Sequence, residues 1–226
     1  MPKHPRKPKS TWNKRPYDLA VIAVAHLFPP LTVIWILLWT LVALAIWLED
    51  RGPIFFRQKR SGKDGKVFTF LKFRTMVVDA EAKGLITESK DQRITRVGRL
   101  LRRTALDELP QLINILRGEM SFVGPRPLPV KMCEEEKLVE PRFDERLQVL
   151  PGLTGVAQIY LPRHCPARRR LRYDLAYIRK ADLWLDVRLM LLAVRNTLLG
   201  NWGTGHRETE MADQIGIDGE SKRPTV

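Results

Sequence analysis

From Leu19 to Leu48 the chain reads LAVIAVAHLFPPLTVIWILLWTLVALAIWL, a run with no formally charged side chain and only His26 titratable. About 20 apolar residues span a bilayer as one helix, so a run of roughly 30 is long for one straight span and short for two. Pro29 and Pro30 lie inside it. Each removes a backbone donor and restricts the residue before it, which predicts a sharp break near Phe28. Lys9, Lys14 and Arg15 stand on the near side, Arg51, Arg57 and Lys59 on the far side. A simple span carries its basic excess on the cytoplasmic side alone. Two basic flanks predict instead a re-entrant helix–break–helix that enters and leaves through the cytoplasmic face, in preference to a tilted span with a proline kink. A cleaved signal peptide would have a shorter apolar core and a small-residue cleavage site. Trp35, Trp39 and Trp47 suit interfacial depth on the longer arm.

The rest of the 226 residues is long enough for one medium domain, and 44% hydrophobic content supports a packed interior. A formal net charge of +14 points to a polyanionic partner: nucleic acid, anionic lipid or phosphorylated small molecules. Cys133 and Cys165 form no CxxC pair, which argues against a disulfide framework or zinc site and for a reducing, cytosol-facing location.

PIFFRQKR (Pro53–Arg60) and KVFTFLKFRTM (Lys66–Met76), joined by SGKDG, predict a β-hairpin. Asp79 to Ile94 reads as a polar loop with one helical turn. Arg96 to Arg103 is a short basic amphipathic helix suited to an anionic bilayer surface. Leu109, Leu112, Ile113 and Leu116 form the stripe of a helix with Pro110 in its first turn and Gly118 at its end. Ser121–Pro129 reads as irregular, Lys131–Glu140 as a charged helix, and Leu150–Gln158 as turn-rich. Cys165 to Gly200 holds one or two helices, the last from about Leu185 to Leu199. The expected class is α/β: a small mixed domain with a β-hairpin and amphipathic surface helices, attached to the re-entrant membrane element. The divisions are 1–50 for the basic N-terminus and membrane helix, 51–205 for a cytoplasmic-face catalytic domain, and 206–226 for a polar tail.

Asp107 and Glu108 stand before Pro110 with Arg102 and Arg103 just upstream. Carboxylates in a first helical turn are stabilised by about 0.3–1 kcal/mol each, so a structural role is open. A chemical role is open as well: the cations would keep Asp107 ionised as a nucleophile, and Glu108 would offer oxygen to a divalent metal. In GPRP, prolines either side of Arg126 fix its backbone, which suits a bidentate grip on phosphate or simply a rigid turn. Lys72 and Arg74 share a strand face, as a basic strip or as ordinary strand polarity. The glycines of PGLTG (Pro151–Gly155) make a turn or admit a ligand closely. The histidines have no metal-ligand spacing.

FRQKRSGKDGKVFTFLKFRTM, LDELPQLINILRGEMSFVGPRPL and PGLTGVAQ, in this order behind a basic-flanked apolar run, resemble the bacterial sugar transferase family. They most resemble its small monotopic polyprenyl-phosphate phosphoglycosyl transferases. The resemblance implies an enzyme of the bacterial inner membrane, its catalytic domain on the cytoplasmic face. It would transfer a sugar-1-phosphate from a UDP-sugar to undecaprenyl phosphate, the first membrane step of a surface glycan. It also implies that Asp107 is the nucleophile of a ping-pong reaction and Glu108 its partner in Mg2+ binding or proton handling. By the same resemblance Lys72, Arg102 and Arg126 hold substrate phosphate and Pro29 or Pro30 breaks the membrane helix; Arg74, on the strand face of Lys72, and Pro125, beside Arg126, are expected to bind substrate with them. The family's Ser before that proline is Phe28 here, and its arginine after GWAQ is matched one position late by Arg163. Membrane lipid is an expected partner and nucleic acid is not. Self-association is compatible with these motifs but encoded by none of them. One rival reading is a membrane-anchored basic protein binding nucleic acid or anionic lipid, whose function would survive Asp107→Asn; another is a non-catalytic scaffold of envelope glycan assembly, for which both carboxylates would be dispensable.

Overall fold

The computed structural model describes residues 13–27, 29–80, 91–162 and 165–200. The chain forms two compact units, one of residues 15–59 and 69–118, the other of described residues 13–14, 60–68 and 119–200.

In the first unit, α1 (Arg15–Leu27) and α2 (Pro29–Asp50) stand either side of position 28, where the prolines predict the break. A proline at a helix start forfeits no hydrogen bond, because its N–H would have no intrahelical acceptor. Trp35 Nε1 donates to the Ala25 carbonyl at 2.9 Å, and its ring stacks on His26 with centroids 4.8 Å apart. Ten residues of straight helix cover about 15 Å, so this contact requires α1 to fold back on α2. Trp35 and Trp39 thus pack on protein: Trp39 meets Phe73 edge-on at 5.2 Å. Trp47 stays half-exposed under the Arg51 guanidinium. Pro30–Asp50 is long and apolar enough to cross a membrane, and most of it is uncovered. Its one covered stripe, Val42 and Ile46, packs with Phe73 and Leu101 to make the core of this unit.

β1 (Phe55–Ser61) and β2 (Val67–Phe73) form the expected hairpin. Its 3₁₀ turn, Lys63–Gly65, puts Asp64 at φ 54° and Gly65 at φ 73°, a left-handed pair that aspartate tolerates and glycine accepts freely. α3 (Arg96–Thr104) follows, capped by Thr95 Oγ1, which accepts from Gly98 N at 2.9 Å. Glu49, in the last turn of α2, accepts from Arg96 N at 2.6 Å and Val97 N at 3.1 Å. Ala105, left-handed at φ 54°, ends α3. A 3₁₀ turn (Leu106–Glu108) then leads through Leu109 and Pro110 into α4 (Gln111–Leu116). The helix expected here buries a different face from its apolar stripe. Gln111, Leu112, Asn114 and Ile115 are buried, while Leu116 is 47% exposed. Arg15 donates to the carbonyls of Ile115 and Leu116, satisfying the open end of α4.

The second unit holds β3 (Ser121–Val123), α5 (Val130–Val139), β4 (Gly152–Thr154), α6 (Val156–Tyr160), α7 (Ala167–Lys180) and α8 (Leu183–Leu199). The segments expected to be irregular and turn-rich supply β3 and β4, which pair in parallel with Ser121 opposite Gly152 and Val123 opposite Thr154. A Cβ on Gly152 would lie 2.1 Å from Gly124 N, so the PGLTG glycines admit the GPRP backbone. α8 starts at Asp182, whose carboxylate accepts from Leu185 N at 2.8 Å. Lys14 binds buried Asp186 at 2.8 Å and the Val123 carbonyl at 2.6 Å, tying residue 14 to α8 and β3. Leu128, Cys133 and Phe143 form an apolar cluster, and Cys133 and Cys165 are buried free thiols.

Candidate active site

Asp107 and Glu108 occupy the 3₁₀ turn between α3 and α4, ahead of α4 rather than in its first turn. The left-handed Ala105 isolates this turn, and Glu108 N and Leu109 N close it on the carbonyls of Ala105 and Leu106 at 3.1 and 3.2 Å. Asp107 is 8% exposed, so its carboxylate is largely withdrawn from water.

Arg102 lies in the last turn of α3, and its Nε donates to Thr75 Oγ1 at 2.8 Å. Gly98 lets α3 approach so closely, because any Cβ there would meet the Thr75 carbonyl oxygen at 2.1 Å. Thr75, itself buried, accepts from Thr95 N at 3.1 Å through that carbonyl. Thr75 of KFRTM therefore seats the helix that precedes the acidic pair.

Lys72 lies on β2 with its ammonium 4.9 Å from the Phe56 ring centroid. Its strand is held by Asn114 of α4, whose Oδ1 accepts from Leu71 N at 3.1 Å and whose Nδ2 donates to the Thr69 carbonyl at 2.8 Å. A side-chain amide here does what a neighbouring strand would do, fixing β2 against the helix behind Asp107. Arg74 lies just past the end of β2 and is 7% exposed. Its guanidinium donates to both carboxylate oxygens of Asp50 and to the Pro53 carbonyl. The guanidinium of Arg74, half of the expected basic strip, thus pairs with the end of α2.

In the second unit, the backbone around Pro125 and Arg126 is pinned by three donors. Gly152 N reaches the Pro125 carbonyl at 3.0 Å, Arg146 Nη2 the Arg126 carbonyl at 2.9 Å, and Arg60 Nη1 the Pro127 carbonyl at 3.0 Å. Arg146 also pairs with Asp174 at 2.8 Å. Burial pushes the Asp174 carboxyl up, against the opposing pull of Arg146. A hollow beside this loop is lined by Ser61, Gly62, Arg126, Cys133, Arg146 and Pro151. Arg163 lies outside the described residues, as does Phe28.

Glu49, Asp50, Arg60, Gln111, Asn114 and Arg146 were not singled out by the sequence. Only the amides left a trace there: two polar residues inside the apolar run LPQLINIL. Among the described residues no group of three or more His, Cys, Asp or Glu side chains could hold a metal. Magnesium does not need such a cage, since it commonly takes one or two carboxylates, several waters and substrate phosphates. Asp107 and Glu108 fit that mode.

Residues 9–200 match the family model described as bacterial sugar transferase. The chain belongs to that family. It is 40% identical over 208 residues, 85% of its length, to the undecaprenyl-phosphate glucose phosphotransferase of Komagataeibacter xylinus. It is 42% identical over 186 residues, 78% of its length, to the UDP-glucose:undecaprenyl-phosphate glucose-1-phosphate transferase of Xanthomonas campestris pv. campestris. These matches cover 38% and 37% of those relatives, so this bacterial sugar transferase spans well under half of their length. A protein of the same name from Caulobacter vibrioides is 40% identical over 82% of this chain and 70% of its own.

Proposed function

We propose that this bacterial sugar transferase moves a sugar-1-phosphate from a UDP-sugar to undecaprenyl phosphate in two steps through Asp107. The observation that carries this reading is the nearly buried carboxylate of Asp107, beside Glu108, on a turn directly following the arginine-bearing α3. The names of the relatives support the donor and acceptor classes, and two of the three described are named for UDP-glucose, the first donor to test.

In the first step a carboxylate oxygen of Asp107 attacks the sugar-bearing phosphorus. An O–P bond forms, the bond from that phosphorus to the bridging oxygen breaks, and UMP leaves with the electron pair. In the second, a phosphate oxygen of undecaprenyl phosphate attacks the same phosphorus and the Asp107 carboxylate departs, giving the lipid-linked pyrophosphate sugar. One carboxylate serves both substrates in turn, so the kinetics are ping-pong. Lys72 and Arg102 offset charge on the phosphates at Asp107, and in the second unit the pinned backbone of Arg126 suits a phosphate grip of its own. Arg74 acts at one remove, by fixing the end of β2 near Lys72. Magnesium held by Asp107 and Glu108 with the donor phosphates would draw charge from the phosphoryl oxygens.

The fold-back of α1 on α2 and the basic residues at both ends support a re-entrant element that keeps the catalytic residues at the cytoplasmic face of the inner membrane. Asp107→Asn should lower UMP release from UDP-glucose, with Mg2+ and undecaprenyl phosphate present, on the order of 10⁴-fold or more. With donor alone, the native chain should release at most one UMP per molecule and retain the phosphosugar on Asp107. Full turnover by Asp107→Asn would refute the assignment.

A further inference from the structure

Two buried amides lie on α4, and only one of them has work to do in the fold. Asn114, 0% exposed, spends both its amide atoms on the backbone of β2. Gln111, one turn earlier and also 0% exposed, spends neither: among the described residues both Nε2 and Oε1 lack a hydrogen-bond partner. Buried side-chain amides are nearly always paired, so a pair of vacant atoms on one residue calls for a reason.

Its place on the helix supplies one. Leu109 (φ −52°, ψ −39°) and Pro110 (φ −62°, ψ −15°) carry helical backbone from the 3₁₀ turn into α4. Glu108 and Asp107 are then three and four residues before Gln111, on the same helical face. Long side chains on a helix lean back over the turn that precedes them, and the turn preceding Gln111 is the one that carries the acidic pair. A glutamine cannot be the nucleophile and is uncharged, so it neither repels an incoming phosphate nor competes with Asp107 for a cation. What it offers is a hydrogen-bond donor shielded from water, whose strength rises in such surroundings.

We propose that Gln111 is a further catalytic residue, donating from Nε2 to an oxygen of the phosphoryl group as it moves onto and off Asp107. The inference rests on the two-step reading above. When Asp107 oxygen bonds to phosphorus and UMP departs, negative charge concentrates on the phosphoryl oxygens. The Gln111 N–H meets that charge without itself gaining or losing a proton. When undecaprenyl phosphate displaces Asp107, the same donor serves the reverse distribution of charge.

The test compares native full-length chain with Gln111→Met, which keeps length and loses both amide atoms, and with Gln111→Glu, which accepts but does not donate when ionised. Thermal unfolding, donor KM, kcat and the rate of the UMP burst with UDP-glucose alone are measured for each. Gln111→Met should unfold at the native temperature or above, because the vacant amide contributes nothing to the fold. Its kcat and burst rate should fall about 100-fold, the usual loss of one donor to a developing oxyanion, with KM within about threefold. Gln111→Glu should show the same fall in kcat and serves alone if the methionine variant does not fold. Native kcat in either variant, or a loss of activity that tracks a lowered unfolding temperature, overturns the proposal in favour of a structural amide. Asp107→Asn, run alongside, separates the two claims. If it turns over, the two-step reading itself fails; if it is inactive while Gln111→Met is fully active, only the role of Gln111 fails.

Discussion

At Gly98 two tendencies oppose each other. Alanine is the better helix former by about 0.8–1 kcal/mol, yet its Cβ would lie 2.1 Å from the Thr75 carbonyl oxygen and 2.7 Å from that residue's Cα. Both atoms are backbone, and overpacking against parts that do not swing away costs about 1–3 kcal/mol. Gly98→Ala should therefore lower the unfolding temperature despite the better propensity, and should raise donor KM as Arg102 is displaced from Thr75. Arg93 makes a tie of another kind, across the ends of the 81–90 segment: its Nη1 reaches the Ala80 carbonyl at 2.8 Å while its guanidinium grips Asp91. The hydrogen bonds from Arg93 hold the Asp91 carboxyl at about 2, below its unfolded value. A depressed carboxyl stabilises the fold above the unfolded value and loses that contribution as pH falls through the folded one. The protection factor of the Val77 amide, which donates to the Arg93 carbonyl, should fall between about pH 4 and pH 2 and stay flat from pH 5 upward.

Among the elements, α4 is short, and what it does depends on Asn114. Asn114→Leu keeps the volume approximately but leaves Leu71 N and the Thr69 carbonyl without their partner. Each such loss costs about 1–3 kcal/mol in a buried site and less here, where β2 is half-covered. We expect a fall of about 1–3 kcal/mol in denaturant-measured stability and a larger fall in kcat/KM than in stability, because Lys72 is the next residue along. The elements also differ in how plainly they stand in the sequence. The hairpin is legible because alternation and a Gly-Lys-Asp-Gly turn are local properties. The broken apolar helix is legible because proline acts on its own neighbours. The β3–β4 pair is not: three residues leave no period to detect, and the partner is some 30 positions away. The buried face of α4 was misread for a related reason, since its amides are satisfied, or left waiting, by groups that no local pattern reveals. Of the candidate site, the acidic pair stands out locally as charge beside an apolar run, Lys72 and Arg102 enter only through the resemblance, and the contact of Arg74 with Asp50 spans the whole hairpin and leaves no local trace.

For the molecule as a whole, the decisive question is which side of the bilayer each end of the apolar run faces. Asn13→Cys and Lys63→Cys place exposed thiols beyond either end, against two native thiols that are both buried. A membrane-impermeant maleimide should label both in inside-out vesicles and neither in intact spheroplasts. Labelling of one in spheroplasts would make the segment a plain span. The last turn of α2 also sets a limit on how that segment can vary. Glu49 serves the start of α3 and its neighbour Asp50 serves Arg74. Successive residues of a helix point about 100° apart, so inserting or deleting a single residue between Trp39 and Glu49 would swing both carboxylates off their targets together. The stretch of α2 between Trp39 and Glu49 is therefore metered by what its final two acids must reach, and any change in the length of α2 falls to the residues ahead of Trp39.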